Sequence, residues 1–188
     1  MAPPPSDEAL IQAVERGDGS SARELYDRLV PVVDRTLCRV LGRREADHDD
    51  LVQTTFEQIV STLSRRTYAR ACSLTTWAST LASHVGLNAL RSRRRERRVF
   101  DAGADEADEA GPASRDGERD VRARLEVDRL RTHLAALAPE KAEAVLLHDV
   151  LGHELAEIAV MTGVSVAAAQ SRLVRGRREL LERMGGRP

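Results

Sequence analysis

The sequence predicts an all-α fold made of two small helical domains, and three observations support this. Aromatic residues make up only 3% of the 188 residues, whereas Ala, Leu, Val, Glu and Arg dominate, which favours helices over sheets. Apolar residues recur at intervals of three and four along most of the chain. A central acidic stretch, rich in Gly and Ala, has almost no large apolar residues and cannot bury a core.

The first two helices are predicted from their capping residues and apolar stripes. Ser6 or Asp7 can cap a short helix, and "RGDGS" with its two glycines ends it. Ser20 or Ser21 can cap a longer helix with a continuous apolar stripe. Pro31 is expected to kink or divide this second helix, because proline lacks an N–H and clashes with the preceding turn.

Two further helices complete a predicted N-terminal bundle over residues 1–98. The segment "ADHDDLVQTTFEQIVSTL" has acids at its first turn and one apolar stripe. After a loop, "RRTYARACS", the segment "LTTWASTLASHVGLNALRSRRRERR" places Trp77, Leu81 and Val85 on one face and ends in an arginine run. Together these four helices are enough to enclose one core.

Residues 99–120 are expected to form a flexible acidic linker, and residues 121–188 a second helical domain. The linker carries eight acidic residues against two arginines. Apolar residues spaced for a helix resume near Val121, and Pro139 suits the first turn of the next helix. Whether the two domains pack together does not follow from the sequence.

The segment "ELAEIAVMTGVSVAAAQSRLVRGRREL" has the spacing of a helix-turn-helix. Such a pair needs a small residue late in its first helix, a glycine in the turn and an apolar residue in the second helix; Ala159, Gly163 and Ala169 meet these needs. Ser165 is placed to cap the second helix. The alternative is a purely structural helical hairpin, because the first turn of the second helix offers methyl groups where polar side chains usually contact bases.

The arginine run "RSRRRERR" (91–98) contains six arginines and one glutamate. A charge run at a helix end is often a solvated tail that suits the helix dipole. Tyr68 and Trp77 nearby favour a second interpretation, because single-stranded nucleic acid is held by stacking on aromatic rings and by phosphate contacts.

The sequence predicts no enzyme active site, no metal site and no cofactor. Cys38 and Cys72 are far apart and are expected to be small buried apolar residues. The segment Asp47–Asp50 ("DHDD") contains potential metal ligands, but consecutive residues on a helix point in different directions, so one ion cannot easily bind them all. The acids of this segment are therefore expected to mark the start of a helix. The N-terminus lacks a signal peptide and no stretch is long and apolar enough to span a membrane, so the protein is expected in the cytoplasm.

Taken in order, these segments resemble the extracytoplasmic-function sigma factors, two-domain initiation subunits of bacterial RNA polymerase. The most specific match is "DDLVQTTF" (49–56), which in that family marks the helix that binds the polymerase clamp. The resemblance implies polar contacts with core polymerase and packing roles for Leu51 and Phe56. The implied polymerase-binding residues are Asp49, Asp50, Gln53 and Glu57.

The resemblance further implies that the fourth helix and the loop before it capture the unpaired strand of the −10 element. Trp77, Leu81-Ala82 and Leu90-Arg91 match the family pattern, whereas Ser83, His84 and Asn88 replace Arg, Asn and Asp. The implied −10 contacts are Tyr68, Trp77, His84, Asn88, Arg91, Arg94 and Arg95.

For the second domain the resemblance implies binding of the −35 element. Members of the family have a Thr-Val-Lys-Ser-Arg-Leu series in the recognition helix, but this chain has Ala168 and Gln170 in place of the threonine and lysine. The implied −35 contacts are Ser165, Ala168, Gln170, Ser171, Arg172 and Arg175. The family is commonly held inactive by an anti-sigma factor, so such a partner is implied as well as core polymerase and promoter DNA.

The sequence thus predicts a sigma factor that directs core polymerase to promoters. One alternative is a diverged sigma-like interaction protein that binds polymerase or a regulator without productive promoter recognition. Another is a dimeric helix-turn-helix regulator, in which the "DDLVQTTF" helix has no obvious use.

Overall fold

The computed structural model describes residues 5–100 and 115–186, and in this part of the chain helices are joined by loops, without a strand. Its helices are α1 (Asp7–Glu15), α2 (Gly19–Leu41), α3 (His48–Ser64), α4 (Leu74–Phe100), α5 (Arg115–Leu134), α6 (Pro139–Val145), α7 (Leu155–Thr162) and α8 (Val166–Arg183). The predicted all-α fold is therefore confirmed. None of the helices in the described ranges is long and apolar enough to cross a bilayer.

Helices α1 to α4 pack around one core. Leu29, Val33, Leu37, Ile59 and Leu63 are completely buried there, as the three-and-four spacing of their apolar stripes requires. Helix α4 lies close along α2, because a Cβ on Gly86 would come within 2.8 Å of Val40. The first domain is thus a four-helix unit built mainly on α2.

Two details of α2 differ from the sequence prediction. Asp18, rather than Ser20 or Ser21, caps the helix: its carboxylate accepts hydrogen bonds from the Ser20 amide (3.0 Å) and from both serine hydroxyls (2.8 Å each). The helix also continues through Pro31 instead of dividing there. Pro31 is exposed, so water can satisfy the carbonyl that lost its N–H partner.

Both ends of the expected linker are helical. Helix α4 continues to Phe100, and α5 begins at Arg115 instead of near Val121. The remainder of the predicted linker, residues 101–114, lies outside the described residues. Residues 115–120 have too few apolar side chains to pack into a core. They can still form a helix, because Arg and Glu are good helix formers.

Helices α5 to α8 form the second domain. A π-helical segment, Leu146–Val150, continues α6, and α7 and α8 then form the predicted helix-turn-helix. Gly163 adopts a left-handed conformation (φ 66°) in the turn, which suits glycine, and Ser165 caps α8 by accepting a hydrogen bond from the Ala168 amide (3.2 Å). Ala159 and Ala169 are buried between the helices as their spacing predicted.

Gly176 allows α8 to approach α6. A Cβ there would lie 2.8 Å from a Val145 methyl group and 3.0 Å from the Lys141 carbonyl oxygen. Gly176→Ala is expected to destabilise the second domain by about 1 kcal/mol, because an overpacking cost of about 1–3 kcal/mol exceeds the gain in helix propensity. Thermal unfolding of the full chain checks this, with Gly19→Ala as the control, since no atom lies within 4 Å of that Cβ. Equal effects at the two glycines would contradict the packing argument.

The two domains pack against each other. Val40 and Leu87 of the first domain share one buried apolar cluster with Leu134, Leu137 and Leu146 of the second. The Arg131 Nε donates a hydrogen bond to the Val40 carbonyl (3.1 Å) at the end of α2. The contact therefore combines apolar burial with a specific polar contact at its edge.

Candidate functional site

One exposed polar stripe runs along α3. Asp49, Asp50, Gln53 and Glu57 are all exposed, and Gln53 donates a hydrogen bond to Glu57 (3.0 Å). Phe56, at the edge of this stripe, is buried, with its ring centroid 4.4 Å from that of Tyr26. The sequence-predicted polymerase-binding residues therefore lie together on a surface that the rest of the described chain leaves free.

An aromatic pair lies at the start of α4. The ring centroids of Tyr68 and Trp77 are 4.5 Å apart, with the ring planes inclined at 37°. The Tyr68 hydroxyl donates a hydrogen bond to the Cys72 carbonyl (2.7 Å), and burial raises the pKa of Tyr68 to about 12, so the phenol stays neutral at physiological pH. Both rings are half-buried, so each keeps part of its surface exposed.

The α4 stripe, formed by His84, Asn88 and Arg91, continues from this pair toward the arginine run. His84, Asn88 and Arg91 line a cavity of about 340 Å³ together with Pro139 and Glu143 of the second domain. The His84 Nε2 contacts the Glu143 carboxylate. One terminal nitrogen of Arg91 lies 3.3 Å from the Asn88 amide oxygen, and the other is buried with no hydrogen-bond partner in the described part of the chain. Burial lowers the pKa of Arg91, and nearby Arg95 lowers it further.

The second domain covers much of this stripe. Val160 and Met161 of α7 line a cavity of about 170 Å³ with Tyr68 and Trp77, and the Met161 sulfur lies 3.1 Å from the Thr80 hydroxyl. Tyr68, Trp77, His84, Asn88 and Arg91 are thus brought together, and in this arrangement of the domains they lie beside α6 and α7. Arg94 and Arg95 lie farther along α4, away from these two helices. No local pattern predicts that the second domain covers these residues, because the covering depends on contacts between distant segments.

Ser83 is one of the three positions on α4 at which this chain departs from the family pattern. It is completely buried and its hydroxyl donates a hydrogen bond to the Thr80 carbonyl (2.7 Å). It lies on α4 one turn from Leu87, at the edge of the stripe that faces the second domain. A small residue at this position is therefore compatible with the close approach of the two domains.

The arginine run has two parts. Arg93 is bound by Asp47 (2.7 Å) and Glu45 (3.2 Å) and fixes α4 to the loop before α3. Arg94 and the exposed Arg95 form no ion pair within the described residues. Arg94 also lines a cleft of about 410 Å³ between α4 and α5. The arginines around this cleft, which come from distant parts of the chain, are Arg43, Arg93, Arg94, Arg97, Arg98 and Arg131. The basic run itself signalled Arg97 and Arg98, whereas Arg131 enters from a distant helix.

Helix α8, the predicted recognition helix, has no charged side chain in its first turn. Gln170 and Arg175 are exposed, whereas Ser171 and Arg172 are half-buried. Ser165 is exposed but engaged as the helix cap, and Ala168 offers only a half-buried methyl group. Ala168, Ser171, Arg172 and Arg175 therefore share one side of α8, whereas Gln170 lies on another side and Ser165 precedes the helix. The first turn of α8 offers few polar groups.

Two family models and several known proteins match this chain. The family model for sigma-70 region 2 matches residues 25–96, and the model for sigma-70 region 4 matches residues 128–180. RNA polymerase sigma factor CarQ of Myxococcus xanthus is 34% identical over 172 residues, which cover 90% of this chain and 92% of CarQ. The chain belongs to the sigma-70 family of RNA polymerase sigma factors.

Within this family the chain is an extracytoplasmic-function (ECF) sigma factor. The ECF sigma factor SigC of Mycobacterium tuberculosis is 30% identical over 71% of this chain and 68% of SigC. The solved structure of CnrH in complex with the cytosolic domain of CnrY superimposes with a TM-score of 0.54 at 25% identity, covering 94% of this chain and 95% of CnrH. The region 2 match contains α3 and most of α4, and the region 4 match contains α7 and most of α8.

Proposed function

We propose that this sigma factor binds core RNA polymerase through the exposed face of α3, captures the −10 strand along α4 and anchors the −35 element through α8. The proposal rests on one observation: the first domain has an exposed acidic face on α3, and the second domain has a helix-turn-helix whose second helix is capped by Ser165. The protein performs no chemical step of its own; the polymerase makes the RNA.

The α3 surface suits binding of a rigid partner. Asp49 and Asp50 stand at the positive end of the helix dipole and form no ion pair within the described residues, so they are available to basic groups of the polymerase. Gln53 and Glu57 extend the same polar stripe by two turns.

Capture of the −10 strand requires the second domain to move away from α4. Tyr68 and Trp77 can then stack on unpaired bases, and Arg94 and Arg95 can contact phosphates. His84 and Asn88 would lose their cover from Pro139 and Glu143 and become able to hydrogen-bond base edges. Strand capture therefore competes directly with the contact between the domains.

Binding of the −35 element is expected to be weak but can be strengthened at one position. Gln170→Lys adds a cation on the exposed side of α8 without burying it. It should tighten binding of a −35 duplex several-fold and steepen the slope of log K against log salt by about 0.9, the value for one additional phosphate contact. Fluorescence anisotropy at several salt concentrations measures both quantities. Val174→Lys, on the exposed side farther along α8, is the control for nonspecific charge, and identical slopes for both variants and the natural chain would contradict a contact at Gln170.

We also propose an anti-sigma factor as a regulatory partner that covers the α3 and DNA-binding faces. CnrH, which this chain resembles in structure, was solved with the cytosolic domain of CnrY bound. The site of action would be the cytoplasm, where polymerase and promoter DNA are found.

Run-off transcription tests the proposed function. Purified bacterial core polymerase is given fragmented genomic DNA of the source organism with and without this protein. Defined transcripts that require the protein are expected, and their aligned start sites reveal the recognised elements. Retention by core polymerase without transcripts would instead favour an interaction protein, for which the covered α4 stripe is the motivating observation. Failure to bind polymerase would overturn the proposal.

A further inference from the structure

His48, the first residue of α3, is a buried histidine with an unsatisfied ring nitrogen. Only 2% of its surface is exposed. Its Nε2 lies 2.8 Å from the Asp34 carboxylate, whereas its Nδ1 is buried and has no hydrogen-bond partner in the described part of the chain. A buried polar atom without a partner is costly, and a bound ion or water is a common reason for finding one.

A third donor lies beside this pair. Cys38 follows Asp34 by one turn of α2, so both side chains lie on the same face of that helix. The donor atoms of Asp34, Cys38 and His48 all lie within 4.8 Å of one another. Cys38 is only half-buried, not the fully buried apolar residue that the sequence predicted, so its thiol is open to solvent species.

This cluster differs from the one considered in the sequence. The segment "DHDD" is not expected to bind a metal ion, because its consecutive side chains point in different directions. In the structure Asp47 binds Arg93, whereas Asp49 and Asp50 are exposed. His48 instead turns inward and meets two donors that precede it by ten and fourteen positions. The cluster is therefore assembled by the packing of α3 on α2, which no local spacing reveals.

We propose that Asp34, Cys38 and His48 bind one late first-row divalent cation of the Zn²⁺ or Co²⁺ type. Thiolate, imidazole and carboxylate together favour these ions over Mg²⁺ or Ca²⁺, which take oxygen ligands. A tetrahedron with ligand distances of about 2.0–2.3 Å has edges of about 3.3–3.8 Å, so the side chains need to move by about 1 Å, with water as the fourth ligand.

Binding of the cation displaces the thiol proton of Cys38 and the contact between Arg44 and Asp34. The Cys38 thiol loses its proton to solvent as the metal–sulfur bond forms, and His48 binds as neutral imidazole. Arg44, which contacts the same Asp34 oxygen, is exposed and can move away from the cation. The ion then joins the C-terminal part of α2 to the first turn of α3, directly before the proposed polymerase-binding Asp49 and Asp50.

The test uses Co²⁺ with the full, chelator-stripped chain under reducing conditions. A thiolate-to-cobalt charge-transfer band, saturating at one equivalent and abolished by Zn²⁺, is expected. Cys72→Ser should retain the band, because Cys72 lies outside the cluster, and Cys38→Ser should lose it. Asp34→Asn, which keeps the shape of the side chain, should weaken Co²⁺ binding and reduce the Co²⁺-dependent rise in melting temperature.

The outcomes separate a metal site from a simple hydrogen-bonded pair. Absence of the band in the natural chain, or its persistence in a folded Cys38→Ser variant, would overturn the proposal. Loss of the band only in Cys72→Ser would overturn it as well, by moving the ligand elsewhere. Circular dichroism of each metal-free variant establishes that the chain is folded, and none of these readouts depends on transcription.

Discussion

Asp50→Arg is expected to weaken binding to core polymerase by about 2–4 kcal/mol, or roughly 30- to 1000-fold, while the chain stays folded. Asp50 is exposed and forms no ion pair within the described residues, so the fold loses only a favourable helix-dipole interaction of about 0.5 kcal/mol. At an interface, in contrast, the reversal replaces attraction by repulsion. Competition for core polymerase against the labelled natural chain gives the affinity.

Glu140→Arg is the matched control for this experiment. Glu140 is likewise an exposed acid in the first turn of a helix, α6, so its reversal has the same net-charge change and the same dipole cost. It lies outside the proposed polymerase-binding surface, and its variant should retain affinity within a few-fold. Equal losses in both variants would show that net charge, not the α3 face, governs binding.

The sequence predicted the elements and faces that depend on local physics. The Ser6 and Ser165 caps were located correctly because capping is decided within three residues. The α3 stripe was predicted because helical periodicity fixes which side chains share a face, and Phe56 is buried as expected. The resemblance to sigma factors then attached a function to that face.

The sequence did not predict contacts that join distant segments. Nothing near His48 indicates that Asp34 and Cys38 will meet it, and nothing near Trp77 indicates that Met161 will cover it. Ser83 was noted only as a departure from the family pattern. Its complete burial becomes visible only when α4 is packed against both α2 and the second domain.

These long-range contacts make opening of the two domains the step on which DNA binding depends. The contact between them includes the apolar cluster around Leu87 and the contact between His84 and Glu143. His84 is also a proposed −10 contact, so it cannot serve both partners at once. A change that disfavours the contact between the domains should therefore favour strand capture, provided that the first domain stays intact.

Ser83→Arg is expected to open the domains, although it restores the residue type typical of the family. A guanidinium cannot stay unpaired in the fully buried position of Ser83 without a cost of several kcal/mol, and displacement of the second domain relieves that cost. Glu143→Arg should act in the same direction from the other domain, because it places a cation beside His84 and Arg91. Both variants should bind single-stranded −10 DNA more tightly than the natural chain.

Energy transfer between dyes on the two domains measures the opening, and small-angle scattering checks it without labels. Ser64→Arg is the matched control, since Ser64 is exposed with both domains in place and its variant should stay closed. Glu143→Arg keeps the experiment decisive if Ser83→Arg disturbs the packing of α4 on α2, because Glu143 is not part of the first domain. If both variants remain as compact as the natural chain, or open without any gain in strand binding, the second domain does not restrict access to α4.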